Sequence, residues 1–333
     1  MKTIGDKILD VSLSKIGSKS LFTKELELAL ENKHVDMVVH SLKDLPTTLP
    51  EGLVIGAVCS RENPCDAVIV HPKHKDSTLK DLAADSVIGT SSLRRVAQLK
   101  RRYPHLKFEC IRGNLNTRLK KLEDDDKYDA IVLAAAGVIR MGWGSKISEY
   151  LEHKDCMYAV GQGALAIECR ESDSSTLELL APLNHVDTLI CVAAERALMK
   201  SLEGGCSVPL AVHCEIKDEN LVMRGGVWSL DGSEELVEFT SCSFEDVKET
   251  EKEEKLSPSV NSLVSRPECR ERLRRSYDLG VSLAKKLLAK GAKKILDEAK
   301  AANILPVNAP PPKVKNDLAS GNGEEVKVAS ALL

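Results

Sequence analysis

Ser86-Val87-Ile88-Gly89-Thr90-Ser91-Ser92-Leu93-Arg94-Arg95 is the stretch from which the fold of this chain is read. Two β-branched residues run into a glycine, three hydroxyl residues follow, and a helical apolar pattern begins at Leu93. That is a strand feeding directly into a helix, with Ser91 or Ser92 as the natural N-cap. The same alternation spreads outward. Strand-like runs fall at 53–58, 66–70, 107–111 and 130–134, and helical patterns at 92–102, 114–124 and 137–141. This order predicts a predominantly parallel sheet covered by helices, an α/β fold.

Upstream, residues 22–32 read as a helix and 35–40 as a short buried strand ending in His40-Ser41-Leu42-Lys43-Asp44-Leu45-Pro46. Downstream, the apolar run 157–168 is interrupted by Gly161-Gln162-Gly163, which predicts a crossover between domains. A helix over 188–202 enters the loop Ser201-Leu202-Glu203-Gly204-Gly205-Cys206-Ser207-Val208-Pro209. Beyond it the pattern changes to a meander, 208–216, 221–229 and 235–242, with turns at Asp218-Glu219-Asn220 and Asp231-Gly232. Residues 244–255 are charge-dense and read as a solvated insertion. An amphipathic helix over 270–289, ended by Gly291, and a shorter one to Ala302 follow. The tail from Pro306, with Pro310-Pro311-Pro312 and Gly321-Asn322-Gly323, reads as disordered.

With 333 residues there is length for two or three domains, and 43% hydrophobic with 29% charged residues is a globular composition. A net charge of −3 argues against a general nucleic-acid or membrane-surface binder, so any basic feature is local. Ten cysteines without a CxxC pair, several inside apolar runs, suit a reducing compartment. No apolar run reaches the ~20 residues of a membrane span. The start, Met1-Lys2-Thr3-Ile4-Gly5-Asp6-Lys7, is too polar for a signal peptide, so the expected location is cytoplasmic.

The anomaly is the placement of arginine. Arg94 and Arg95 sit in a first helical turn, where each cation opposes the helix dipole at about 0.3–1 kcal/mol. An anion bound there, among free N–H groups and hydroxyls, would remove the conflict. The arrangement recurs at Ile111-Arg112-Gly113-Asn114-Leu115-Asn116-Thr117-Arg118, and Arg140 follows a further strand. Three basic strand ends point to a polyanion site. No phosphate-binding glycine loop, dinucleotide fingerprint or metal-ligand spacing is present. Aromatic residues, at 3%, are too few to stack nucleic-acid bases. Arginine forks match carboxylates, so a polycarboxylate fits best. Lys43 and Asp44, at the carboxyl end of a strand, are either site residues or an ordinary capped turn. Cys206, behind two glycines, is a nucleophile, an attachment point or a small structural hydrophobe.

Taken together, 40–46, 89–95, 111–118, Gly161-Gln162-Gly163-Ala164 and 203–209 resemble the porphobilinogen deaminase (hydroxymethylbilane synthase) family, in order from about residue 5 to 296. The charged insertion at about 241–269 looks like that of the animal members. The resemblance implies two periplasmic-binding-protein-like α/β domains and a small α+β C-terminal domain carrying the cofactor cysteine. Domain 1 would hold 1–61 and 162–182, domain 2 would hold 62–161, and domain 3 would hold 183–305, before a tail from 306 to 333. It implies a transferase that deaminates porphobilinogen and joins four units head to tail, releasing hydroxymethylbilane for tetrapyrrole and heme synthesis. The chain would grow on a dipyrromethane cofactor, one per chain, bound covalently to Cys206 through a thioether.

The family's roles fall on matching positions. Asp44 would be catalytic, its carboxylate stabilising positive charge on pyrrole nitrogen as ammonia leaves. Lys43, Ser41, Thr90, Ser91, Ser92, Arg94, Arg95, Arg118 and Gly163 would bind the cofactor. Arg112, Asn114, Arg140 and Gln162 would bind substrate, whose acetate and propionate groups add negative charge with every ring. No metal, nucleic acid or membrane is implied, and the expected state is a monomer. The family carries a strand-helix-strand segment ahead of Gly5-Asp6-Lys7, with an arginine, a serine and a glutamine of the site. Since this sequence starts at Met1, the expectation is a destabilised first domain and weak or no turnover. A non-catalytic solute-binding module for a polycarboxylate is the competing reading, and it leaves Asp44 and the Gly-Gly-Cys loop without a role. A nucleic-acid binder using the arginines is disfavoured by the net charge.

Overall fold

The computed structural model describes residues 23–205, 208–247, 257–260, 262–265, 269–303 and 328–330. Cys206, residues 1–22, the charged run 248–256 and most of the tail lie outside the described residues.

Along the chain come α1 (Lys24–Glu31), β1 (Met37–Ser41), β2 (Leu53–Val58), β3 (Asp66–Val70), β4 (Val87–Gly89), α2 (Leu93–Arg102) and β5 (Lys107–Glu109). Then follow α3 (Leu115–Asp124), β6 (Ala130–Ala134), α4 (Ala135–Arg140), β7 (Glu149–Leu151), β8 (Leu165–Arg170), α5 (Ser174–Leu180) and α6 (Val186–Ser201). The last part holds β9 (Leu210–Lys217), β10 (Asn220–Trp228), β11 (Glu235–Ser243), β12 (Ser257–Val260), β13 (Leu263–Ser265), α7 (Arg270–Ala289), α8 (Ala292–Asn303) and β14 (Val328–Ser330).

These strands form three sheets, ordered β12-β13-β2-β8-β1-β14, β5-β4-β6-β3-β7 and β11-β10-β9. The chain lays down β1 and β2, leaves for the second sheet, and returns as β8 between them. Both larger sheets are mixed, which corrects the expectation of predominantly parallel pairing. β8 runs antiparallel to β1 and to β2, and β3 runs antiparallel to β6 and β7, whereas β4 is parallel to β5 and β6. The reason is the crossing itself. A strand entering from the other sheet needs no helical crossover to set its direction, and a strand buried on both faces reads the same either way.

Two stretches differ from their sequence reading. Leu263 and Val264 are buried, and β13 pairs parallel with β2 through Leu263 and Ile55, so the end of the charged insertion completes the first sheet. β14, from the tail read as disordered, pairs parallel with β1 in the register Met37 to Val328. An open sheet edge is a row of unpaired N–H and C=O groups that selects an extended segment. The meander agrees with its reading: β10 pairs antiparallel with β9 and β11, and Asp218 and Glu219 turn at φ 49° and 56°.

The largest core surrounds α6, which is buried on every side, including Glu195 and Arg196. Gly280 lets α7 cross it closely, since a Cβ there would lie 2.1 Å from the Ala194 carbonyl oxygen. The second and third sheets meet where Ala97 and Met157 pack on Ala211 and Trp228.

Candidate active site

Residues 42–44 form a single 3₁₀ turn at the end of β1. In that geometry residues three apart share a side, and here those residues are Leu42 and Leu45. Both are buried in the main core, each contributing on the order of 2 kcal/mol by leaving water. The Leu42 N–H donates to Ala164 O at 3.0 Å, and Arg196 Nη2 donates to Pro46 O at 2.7 Å. With the leucines inward and both flanks tied, Lys43 and Asp44 are held half-buried between them. Asp44 Oδ2 is buried without a partner among the described residues. Burial pushes the Asp44 carboxyl up, against the pull of Lys43 and His40. Burial likewise lowers the Lys43 ammonium, helped by Arg95 and Arg94 and opposed by Asp44 and Asp66. A carboxyl poised to exchange a proton, with an unsatisfied oxygen, is suited to meet a developing positive charge.

The start of α2 is capped as the sequence indicates: the Ser92 hydroxyl accepts the Arg95 N–H at 3.5 Å, and Thr90 Oγ1 accepts the Ser92 N–H at 3.3 Å. The anion that reconciles Arg94 and Arg95 with that helix start is internal, and this revises the sequence argument. Arg94 Nη1 and Nη2 donate to Asp66 at 2.8 and 3.2 Å, and Arg95 Nη2 donates to Asp66 at 2.7 Å. Burial alone would push the Asp66 carboxyl up, but Arg94 and Arg95 hold it well below the usual carboxylate range. Arg94 is further used by Met157 O, and Arg95 Nη1 by Val132 O at 2.9 Å. Arg95 Nε remains buried and unpartnered.

Two more basic side chains join this pair electrostatically, Arg118 directly with Arg95 and Arg112 through Arg118. Arg118, whose Nε donates to Gly113 O at 2.8 Å, has its guanidinium lowered to about 10 by burial and by the like charges of Arg95 and Arg112. No carboxylate pairs with Arg118 or Arg140 among the described residues. Arg140 Nη2 donates to Gly163 O at 2.7 Å. The cations coupled to one another through Lys43 and Arg95 fit a ligand carrying several acids, as a chain of pyrroles does.

The crossover is built as a junction. Gly161 and Gly163 have φ of 72° and 90°, and a Cβ on Gly163 would lie 2.4 Å from Glu62 O. Arg61 Nη1 donates to Glu195 at 2.6 Å and its Nε to Gln162 O at 2.8 Å, while Glu195 accepts the Gly161 N–H at 2.7 Å. Burial opposes the Arg61 charge, but Glu195 raises it well above its usual value.

Of the sequence-derived residues, electrostatic coupling joins Lys43, Asp44, Arg94, Arg95, Arg112 and Arg118 into one cluster. Two polar members are engaged in the fold. Asn114 Oδ1 caps α3 by accepting the Thr117 N–H at 2.9 Å. Gln162 Nε2 donates to Pro64 O at 2.7 Å and to Asp66 at 2.8 Å. Ser41 and Ser91 are half-buried at the ends of β1 and β4. A hollow of about 270 Å³ lined by Cys65, Glu152, His153, Tyr158 and His213 contains none of these residues. Sequence reasoning missed Asp66, Arg61 and Glu195. The available signal for Asp66 was a charged residue opening the otherwise apolar strand Asp66-Ala67-Val68-Ile69-Val70.

Residues 1–178 match the family model described as porphobilinogen deaminase, dipyromethane cofactor binding domain, and residues 189–260 match the C-terminal domain of the same family. A curated porphobilinogen deaminase of Desulforamulus reducens is 46% identical over 301 residues, covering 90% of this chain and 87% of that protein. That of Gloeobacter violaceus is 58% identical over 234 residues, 70% of this chain and 71% of its own length. That of Dictyostelium discoideum is 45% identical over 306 residues, 90% and 85% of the two chains. A turn presenting one acid, the arginines coupled to the Lys43 beside it and a match along both family domains lead to one conclusion: the chain belongs to the porphobilinogen deaminase family.

Proposed function

We propose that Asp44 is the catalytic group of a hydroxymethylbilane synthase, and that the arginines around it carry the pyrrole acids. The activity is that of the family: deamination of porphobilinogen and head-to-tail joining of four units, with release of the linear tetrapyrrole. The observation that carries the assignment is the buried, unpartnered Oδ2 of Asp44 beside Lys43. As ammonia leaves porphobilinogen, positive charge spreads to the pyrrole N–H. A fixed carboxylate there lowers the barrier and can exchange the proton, and its low-dielectric setting strengthens the effect.

A dipyrromethane bound at this site supplies the nucleophilic pyrrole at which the chain grows. Lys43, Ser41, Thr90, Ser91, Ser92, Arg94, Arg95, Arg118 and Gly163 would hold it, with Cys206 as the thioether tether. Its neighbours Gly204 and Gly205 come just beyond Leu202 and Glu203 at the end of α6, the helix whose Glu195 and Arg196 also anchor the crossover and the Asp44 turn. Arg112, Asn114, Arg140 and Gln162 would meet incoming substrate. For Asn114 and Gln162 that role falls to the atoms left over from capping and crossover. Sheet membership changes between Val58 and Asp66, between Leu151 and Leu165 and between Arg170 and Leu210, in keeping with the proposed three-domain division, while β12 and β13 join the first sheet.

The protein is proposed to act as a monomer. Its location is cytoplasmic, where the nine described cysteines, all free thiols, are stable. Among the described residues no single helix is long and apolar enough to cross a membrane. The test is the intact mass of the purified protein. A two-pyrrole adduct that disappears in Cys206→Ala is expected, and an unmodified active enzyme overturns the assignment.

A further inference from the structure

Asp66 is fully buried at the first position of β3, where the chain has just crossed to the second sheet. Its two oxygens accept Arg94 Nη1 and Nη2, Arg95 Nη2, Gln162 Nε2 at 2.8 Å and the Cys156 thiol at 3.5 Å. Arg94 and Arg95 bring two positive charges and have no other carboxylate partner among the described residues. One negative charge therefore faces two positive ones, and Arg95 keeps an unspent Nε–H donor. On the proposed reading of Arg94 and Arg95, each added pyrrole brings two further acids to them.

We propose that Asp66 is a positioning residue of the polymerisation: it fixes Arg94 and Arg95 and neutralises half of their charge, so that each pyrrole acid is held by an exchangeable ion pair. The proposal rests on the reading of Arg94 and Arg95 as holders of the pyrrole acids. The physical ground is the behaviour of buried charge. Two adjacent guanidinium groups without a carboxylate between them would take a ligand acid as a permanent counter-ion. With Asp66 in place their forks are already shaped and partly satisfied, and an arriving acid gains less. Gln162 Nε2 also donates to Pro64 O, so the same carboxylate is tied to both strands of the crossover.

The test uses the full-length, cofactor-loaded enzyme. Asp66→Asn keeps the shape and removes the charge. The expected result is a folded protein that still carries its cofactor, with kcat lowered about tenfold and KM for porphobilinogen unchanged or lower. Under limiting substrate its mass spectrum shows build-up of species with several added pyrroles, and added salt restores part of the turnover. A merely structural role predicts instead a higher KM, no build-up and no gain from salt, and that outcome overturns the proposal, as does wild-type behaviour. Arg95→Gln completes a cycle in which Asp66→Asn costs about threefold or less once Arg95 is gone, and additive losses overturn the proposal. If Asp66→Asn alone does not fold, a folded, loaded double variant supports the proposal and an unfolded one overturns it. Absence of the two-pyrrole adduct from the wild-type protein would instead sink the underlying assignment, independently of Asp66.

Discussion

Gly161 crosses Leu42 so closely that a Cβ on the glycine would lie 2.9 Å from Leu42 Cγ. The crossover and the turn that presents Asp44 are thus in direct contact, and Leu42 is the residue on which that turn is hung. With φ at 72°, Gly161 also occupies the left-handed region, where a side chain is strained. Gly161→Ala is expected to cost about 1–2 kcal/mol of stability from backbone strain, measured by urea unfolding. Turnover should fall more than this suggests, at least about tenfold, because the contact displaces Lys43 and Asp44 from their positions. Wild-type kcat in a folded Gly161→Ala protein would separate the crossover from the site.

Asp44→Asn should raise stability while abolishing most turnover. Burial raises the Asp44 pKa in the fold, so the folded protein binds more protons than the unfolded one between the ordinary carboxylate value and the raised one. Stability therefore declines as pH rises through that window and stays lower above it. The asparagine variant loses this slope, and its Tm at neutral pH should be higher by about 1–3 °C. A lower Tm would mean that attraction to Lys43 outweighs burial.

The acid limb of turnover should lie above the ordinary carboxylate range, because Asp44 has to be ionised when positive charge develops. Lys43 holds that pKa down against burial. Lys43→Met should therefore move the acid limb of kcat/KM to still higher pH, in addition to weakening cofactor retention. A limb that does not move in the variant would place another group in the titration.

Arg61→Ala should be among the most destabilising changes in the protein. It leaves Glu195, fully buried, with a backbone N–H in place of a guanidinium. Stranding a buried carboxylate costs about 3–5 kcal/mol. Lys293 and Asp297 form an ion pair of similar type at 3.5 Å on the exposed face of α8, and Lys293→Ala there should cost about 0–1 kcal/mol. Urea midpoints of the two variants measure the contrast directly, and equal losses would remove the junction from its structural role.

Acid should narrow the stability gap between wild type and Asp66→Asn. The folded pKa of Asp66 is depressed, so its contribution is complete above the ordinary carboxylate value and is lost as pH falls toward the folded one. Unfolding free energies of the two proteins should converge below about pH 4, and a gap that is constant with pH would show that packing, not charge, separates them.

Much of this was written in the residue order. Strand-to-helix units such as 86–95 were legible because apolar β-branched runs, hydroxyl caps and helical periodicity are local properties. Ser92 and Asn114 cap the helices they precede. The list of basic residues at strand ends was legible too, since a cation in a first helical turn conflicts with the helix dipole and calls for an anion.

What that anion is, only the tertiary structure decided. Asp66 stands 28 and 29 positions before Arg94 and Arg95 and meets them only because β3 lies beside β6 and β6 beside β4. Strand direction was decided at the same level, since a strand buried on both faces carries no mark of its partner's orientation. The inward anchoring of Leu42 and Leu45, which leaves Lys43 and Asp44 between them, likewise depends on Ala164 and Arg196, far along the chain. Local preference is written in neighbouring residues, whereas the partner of a buried charge is set by which strands the fold brings together.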